Sequence, residues 1–455
     1  VEKTKPQTFH SSPASLRAMT MLFLAALCNE GQAMPDVHAA IDKLSEDAAA
    51  LFDDVRAATA DIVGVTRDAF GAKETVAGEI LIDFCRKQGL AAGFDAVGNL
   101  AVTLGAQQHA SDIVLASHLD SVPRGGNFDG LAGVIAGVLV LAALKATGVR
   151  PAHDLRTFGF RCEESPWFGT AYLGSKLAAG VLARADLDRL RRFDTGRTLA
   201  DHLAALGVSL ASPPIGVPQV EPARLRAYLE LHIEQGPLLL STDTPLGIAT
   251  ALRGNIRYPY AKCRGDYAHS AAVPRHLRRD AAIATAKLIA DADERWRALI
   301  EAGNDDLVFT CGILHTDPAE HAMTKVPGEV TLSLNIGATT DAAMEVLHGD
   351  ILRRAEELAA EHNVRFDLGA RVGTPATPLD AKIQSVAADA ARVLGIGARA
   401  MPTVGHDAAT FARLGVPAAV LLVRNTNGSH NPAEAMAMPD FMLGVHVLAE
   451  TTLRL

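Results

Sequence analysis

The sequence predicts an α/β fold, a sheet covered on both faces, interrupted by a smaller α+β domain. Three observations predict it. From Pro35 to about Leu252, buried-strand patterns alternate with helical ones, as expected of helices laid on a sheet. From Ile256 the order becomes strand, helix, strand, strand, helix, strand, which is ferredoxin-like. After Gly373-Thr374-Pro375 the first pattern resumes, so the second domain looks inserted into the first. The predicted division is a poorly structured leader over 1–33, a main domain over 34–251 and 374–455, and an insert over 252–373. Two domains also suit a chain of 455 residues, because single cores stop growing at about 250–300 residues.

Taken in order, Pro35 to Ala60 reads as one or two amphipathic helices, and Asp61 to Arg67 as a turn with a short strand entry. Glu74 to Gln88 is helical, since Val76, Ile80, Leu81, Phe84 and Cys85 fall on one face. Phe94 to Thr103 reads as a hairpin turning at Gly98-Asn99. Asp112 to Ala116 is a buried strand, and the apolar run Leu131 to Leu144 is long enough to be a helix. Asp154 to Phe160 is a strand, Phe168 to Val208 mixes helix and loop, and Ser212 to Pro218 is a Pro-rich surface loop. Arg226 to His232 is a further strand. The insert carries strand Ile256–Cys263, helix Arg278–Glu301, strands Leu307–Leu314 and Glu329–Ile336, helix Asp341–His362 and strand Val364–Leu368. The last segment holds helix Ala381–Leu394, the stretch Ala400 to Pro402, a helix end at Phe411 to Leu414, and strand Ala418–Val423.

Composition narrows the class of function. Hydrophobic content of 49% and charged content of 21% fit a soluble globular protein. The net charge of -9 is spread without a basic stripe, which argues against a nucleic-acid partner. No run approaches the roughly 20 apolar residues of a membrane span. Five scattered cysteines without a CxxC favour a reducing compartment, hence the cytoplasm. Met19 to Cys28 resembles a signal-peptide core, but it is short and weakly basic in its approach. The plainer expectation is a leader, with the domain beginning near Met34.

The residues that carry chemistry gather at predicted strand ends. His118 ends one strand, with Asp120 two residues on and Asp129 after a Gly-rich loop. Strand ends followed by a loop and helix start are where open α/β sheets place ligands. His118 offers an imidazole nitrogen, Asp129 two oxygens that can bridge ions, and Asp120 a partner for the other ring nitrogen of His118. Alone, the pair is equally compatible with a structural histidine beside a capping aspartate. Glu163-Glu164, His232 and His430 also follow strands. Five ligand-type side chains at one sheet mouth are hard to explain as accident. Divalent cations would neutralise carboxylates that are otherwise costly to bury.

These segments resemble a family. Ser117-His118-Leu119-Asp120-Ser121-Val122-Pro123 with Asp129-Gly130, Glu163-Glu164, His232-Ile233-Glu234-Gln235-Gly236-Pro237, His269-Ser270 before Val273-Pro274, Gly405-His406-Asp407-Ala408, and Gly428-Ser429-His430-Asn431-Pro432 with Glu434 occur in the order of the hydantoinase/carbamoylase amidases. That family includes N-carbamoyl-amino-acid hydrolases, ureidopropionases and allantoate amidohydrolases, within a dinuclear-metal clan of aminoacylases and carboxypeptidases. The resemblance covers about Ile62 to Met438. It implies a mixed-sheet zinc-hydrolase catalytic domain with an inserted ferredoxin-like lid and dimerisation domain.

Carried residue by residue, the resemblance implies one metal on His118, Asp129 and His232, and a second on Asp129, Glu164 and His430. The two divalent ions would be zinc, with manganese or cobalt also accepted by such donors. They would activate a bridging water, with Glu163 as general base. His269 would stabilise the oxyanion from a partner subunit, which implies a homodimer through the insert. Gln235 would bind a small amide or ureido substrate, with Asn255 a further substrate contact, and Asp120, His406 and Asp407 would support the metal loops. The implied reaction is hydrolysis of a linear C–N bond in an N-carbamoyl or N-acyl compound. The alternatives are an aminoacylase or dipeptidase of the same clan, and a metal-free binding protein that has kept the fold.

The chain departs from the family in the lid. The usual Asn, three residues before a Pro-Gly, is Thr324, and the usual Arg thirteen residues later is Gly337, preceded by Asn335 where an Asp is usual. That Arg clamps the substrate's α-carboxylate. The usual Gly-Ser-Arg-Phe is Ser165-Pro166-Trp167-Phe168, and the usual Thr-Pro-Met is Val273-Pro274-Arg275. Either Arg275 or Arg253 has taken over the clamp, or the substrate presents an amide or aromatic group to Trp167. Otherwise Arg253, Arg275, Arg278 and Arg279 form a solvated charged face.

Overall fold

The computed structural model describes residues 36–105, 109–211 and 214–455. The expected leader, its apolar segment, and Ser212-Pro213 of the Pro-rich loop lie outside the described residues. From Val37 to Leu455 the chain forms a mixed α/β unit.

A nine-stranded mixed sheet organises it. Its four central neighbours are Asp154–Phe160, Asp112–His118, Leu225–Ile233 and Ala418–Val423, each parallel to the next. One side continues antiparallel through Leu100–Thr103 to Ala91–Phe94. The other continues antiparallel to Leu246–Leu252, which pairs with Ala398–Thr403 and Thr377–Pro378. Asp112–His118 and Ala418–Val423 are buried at every residue, which explains their continuous apolar runs.

Helices cover both faces. Leu131–Thr147 is buried at every residue from Leu131 to Leu144, so it shows no polar stripe. It packs with Val37–Asp42, Ala72–Lys87 and Met438–Arg454 in the larger core. The opposite face buries Phe158, Phe160, Tyr228 and Phe411, beside helix Ala408–Arg413.

Besides several elements of two to four residues, two longer ones escaped the sequence reading. Strand Leu246–Leu252 is almost wholly buried and rich in Gly and Ala, so alternation gives no signal. Helix Met438–Arg454 contains Gly444 and Thr451-Thr452, weak helix formers that packing overrides. The expected strand Leu307–Leu314 is two short strands, Val308–Thr310 and Leu314–Thr316. Both pair with Glu329–Ala338, and they are separated where Ser333 exchanges hydrogen bonds with Ile313 opposite a β-bulge.

A second, antiparallel sheet contains Leu314–Thr316, Glu329–Ala338, Gly254–Arg264 and Arg365–Asp367 in that order. Val372–Thr374 adds to Gly254–Arg264. Helices Ala281–Glu301 and Asp341–His362 are capped by Asp280 and Thr340. Their apolar faces bury Ile256, Tyr258, Leu332, Leu334 and Ile336 on one side of the sheet. The alternate residues Asn255, Arg257, Asn335 and Gly337 point to the other side. The chain passes between the sheets at two neighbouring places. Thr374 pairs with Asn255 in the second sheet, and Thr377 with Leu252 in the first.

A buried ion pair ties the helices to the strand ends. Arg161 donates to Glu74 at 2.6 Å, and both side chains are fully buried. Glu74 also accepts the amides of Phe70 at 2.7 Å and Cys162 at 3.1 Å. Arg161→Met should strand the Glu74 carboxylate and cost about 3–5 kcal/mol of stability. A urea-unfolding midpoint equal to wild type would contradict this.

Candidate metal centre

Each ligand-type side chain reaches the centre from the C-terminal end of one of the four parallel strands or from the loop beyond it. His118 is the last residue of Asp112–His118, and His232 sits near the end of Leu225–Ile233. Glu163-Glu164 follow Asp154–Phe160, His430 follows Ala418–Val423, and Asp129 closes the loop before Leu131–Thr147. These ends are neighbours in the sheet, so residues remote in sequence converge.

Asp129 stands between three imidazoles. Its Oδ1 lies 3.4 Å from His118 Nε2 and 3.2 Å from His232 Nε2. Its Oδ2 lies 3.4 Å from His430 Nε2, which is 3.0 Å from Glu164 Oε1. Two groups of donors follow, His118–Asp129–His232 and Asp129–Glu164–His430, each with donor atoms within 4.8 Å of one another. Asp129 belongs to both. Oδ1 is buried and has no hydrogen-bond donor among the described residues, as suits an oxygen shaped for a cation. Imidazole nitrogens and carboxylate oxygens are what zinc, manganese and cobalt accept, so the residues fit divalent ions.

The surroundings hold these donors in place. Asp120 Oδ1 lies 3.3 Å from His118 Nδ1 and accepts the Glu163 amide at 2.9 Å, while its Oδ2 accepts the Glu164 amide at 3.2 Å. One carboxylate thus orients the imidazole and both glutamates. His232 Nδ1 is fixed by the Ile233 carbonyl at 2.9 Å. Gly130 has φ +68°, and a Cβ there would lie 2.4 Å from the His118 ring, so only glycine fits. Gln235 donates to Asp129 Oδ2 at 2.8 Å, and its own carbonyl oxygen is buried with no partner among the described residues.

Three supports went unassigned in the sequence reading. Arg67 is fully buried and donates to the carbonyls of Leu119 at 2.6 Å and Asp129 at 3.0 Å. Glu434 accepts the amides of Phe128 and Asp129 at 2.8 and 3.2 Å. Ser429 Oγ lies 2.5 Å from both Asp129 Oδ2 and Glu434 Oε2, bridging the two carboxyl groups. Glu434 and Ser429 lie within the His430 motif and could have been found there; nothing in the sequence around Arg67 signals its role.

The electrostatics follow from burial. Burial alone would lower the His118 pKa, but Asp120 and Asp129 overcome it and hold it well above the usual histidine range. Burial would raise Asp129, yet His118, His232 and His430 pull it well below the ordinary carboxylate value. Burial pushes Glu163 well up, against His118 and helped by Glu164, Asp407 and Asp120. His430 is lifted to about 11 by Asp129 and Glu164. His406 is driven well down by burial and by His232, whose ring centroid is 4.2 Å away.

These groups open on a cavity of about 660 Å³. His118, Asp129, Glu163, Glu164, His232, Gln235, Asn255, His406 and His430 all line it, as do Arg253 and Arg257. Asp407 sits behind, donated to by Ser175 at 2.5 Å, and burial raises it to about 8. Its other oxygen has no hydrogen-bond partner among the described residues, so no hydrogen bond joins it to the candidate ligands. His269 is exposed on the two-stranded ribbon Ala268–His269 with Lys325–Val326, and Arg275 is exposed in the turn beyond; neither lines this cavity. Trp167 is buried, donating to the Ser121 carbonyl at 2.8 Å, so it is a prop for the loop and presents no face to a ligand.

Comparison with known proteins agrees with the geometry. Residues 114–454 match the model of peptidase family M20/M25/M40. The chain is 33% identical over 398 residues to an N-carbamoyl-L-amino acid amidohydrolase of Geobacillus stearothermophilus, covering 86% of this chain and 93% of that protein. It is 29% identical over 366 residues to an allantoate amidohydrolase of Escherichia coli K12, covering 79% and 85%. A crystal structure of a hydantoinase/carbamoylase family amidase from Burkholderia ambifaria superposes with a TM-score of 0.77 at 27% identity, covering 90% of this chain and 97% of that one.

The His430 value carries a testable consequence. With its pKa raised to about 11, His430 of the metal-free protein carries a proton at neutral pH that a cation must displace. Zinc titration near pH 7 should therefore release protons, seen as a calorimetric enthalpy that changes with the buffer's ionisation enthalpy. A buffer-independent enthalpy would contradict it.

Proposed function

The chain belongs to peptidase family M20/M25/M40, and from that premise we propose that it is a metal-dependent amidohydrolase of small N-carbamoyl (ureido) compounds. The observation that carries this is the pair of donor groups sharing Asp129 at the floor of one cavity. The named relatives hydrolyse linear, non-peptide C–N bonds, and this chain does the same.

His118, Asp129 and His232 would hold one ion, and Asp129, Glu164 and His430 the other. Bound divalent ions polarise the scissile carbonyl and lower the pKa of water. Glu163 takes the proton of the attacking water and returns it to the leaving nitrogen. The free Gln235 carbonyl oxygen accepts a ureido N–H, and Asn255 contacts the substrate further up the wall.

The segment 252–373 is read as a lid and dimerisation domain between 34–251 and 374–455. The two chain crossings beside Leu252 and Thr374 support that division. His269, exposed and away from its own cavity, suits service as an oxyanion donor in the partner subunit of a homodimer. Cys85, Cys162, Cys263 and Cys311 are unpaired, which favours the cytoplasm. Among the described residues, no helix is long and apolar enough to cross a membrane.

Wild-type protein loaded with zinc or manganese should release ammonia from a panel of N-carbamoyl amino acids and lose that activity on chelation. Glu163→Gln should keep its metal content and lose about a hundredfold to ten-thousandfold in kcat. Near-wild-type turnover by that variant would remove Glu163 as the base.

A further inference from the structure

The lid position that would carry a carboxylate-binding arginine is Gly337, and the structure shows that it cannot simply regain one. A Cβ at Gly337 would lie 2.9 Å from Val308 Cγ2 and 3.1 Å from the Gly254 carbonyl oxygen. The corner is filled.

The same sheet supplies a guanidinium one row away. Gly337 pairs with Asn255, and Asn335 with Arg257. Partners across a ladder project to one face, as do residues two apart along a strand. Asn255, Arg257, Asn335 and Gly337 therefore share the face that carries no helix. Arg253, Asn255 and Arg257, at successive alternate positions, all line the cavity above the metal donors. Arg257 donates through Nε to Asn335 Oδ1 at 2.9 Å. Its two terminal nitrogens have no acceptor, and it forms no ion pair, among the described residues. Arg253 donates through Nε to the Asp306 carbonyl at 3.0 Å and forms no ion pair among the described residues, though it feels the Asp306 charge. An aspartate at 335 would neutralise Arg257; the neutral asparagine orients it and leaves its charge available. Asn255 Oδ1 is buried and unpartnered, with Nδ2 held by Thr374 Oγ1 at 3.0 Å.

We propose that Arg257, seconded by Arg253, is the specificity-determining residue that receives a carboxylate on the substrate, replacing a clamp at position 337. The substrate class is then a ureido compound with a free carboxylate. This rests on the hydrolase reading for its metal end, and the terminal nitrogens of Arg257 suit a bidentate pair with the carboxylate. Arg275, outside the cavity, does not serve that end.

The test separates binding from hydrolysis. The metal-loaded protein is titrated calorimetrically with 4-oxopentanoate and with its amide, neither of which has a C–N bond to cleave at the metal end. Wild type should bind the acid about tenfold or more tightly than the amide. Arg257→Met should bring the ratio near one while leaving amide affinity and metal content unchanged. Asn335→Asp should lower the ratio too, and decides the matter if Arg257→Met no longer binds the amide. A wild-type ratio near one, or a tenfold ratio kept by the deciding variant, overturns the proposal. The hydrolase reading fails separately, if wild type binds the acid selectively yet releases no ammonia from any ureido compound.

Discussion

The structure depends on keeping one carboxylate, that of Asp129, buried and charged among three imidazoles. An isolated carboxylate would not stay ionised there. It does so because four parallel strands deliver His118, His232, Glu164 and His430 to the same rim. The backbone around Asp129 is gripped from two sides, by Arg67 at its carbonyl and Glu434 at its amide. These contacts fix both oxygens before any ion arrives, which is the preorganisation that a metal-dependent site needs.

Asp120 shows how a small number of groups can do this. Its carboxylate contacts His118 and the amides of Glu163 and Glu164. It therefore couples the orientation of His118 from one donor group, Glu164 from the other, and Glu163, the proposed base. The Glu74–Arg161 pair anchors the same turn from below, through the Cys162 amide. The charged interior is thus layered: Glu74, Asp120 and Asp129 face an arginine, histidines or backbone amides, while Asp407 faces the Ser175 hydroxyl.

Much of this was legible in the sequence, and for a physical reason. The donors follow apolar runs that can only be buried strands, and Asp154–Phe160, Asp341–His362, Ala381–Leu394 and Ala418–Val423 have the predicted bounds. What was not legible depended on pairing between distant segments. Arg67 has no local signal because its partners are carbonyls more than fifty residues away. Leu246–Leu252 lacks alternation because both its faces are covered. Arg257 drew no notice in the sequence because only the strand register places it beside Asn335, and Trp167 looked available until the fold buried it.

The corner at Gly337 also limits what this face of the sheet can be re-engineered to hold. Val308 occupies the room that a larger side chain would need, so a long cationic residue could enter at 337 only together with a smaller one at 308. A redesign of ligand preference is better spent on the open rows of the same face, where a single substitution meets no neighbour that must move first.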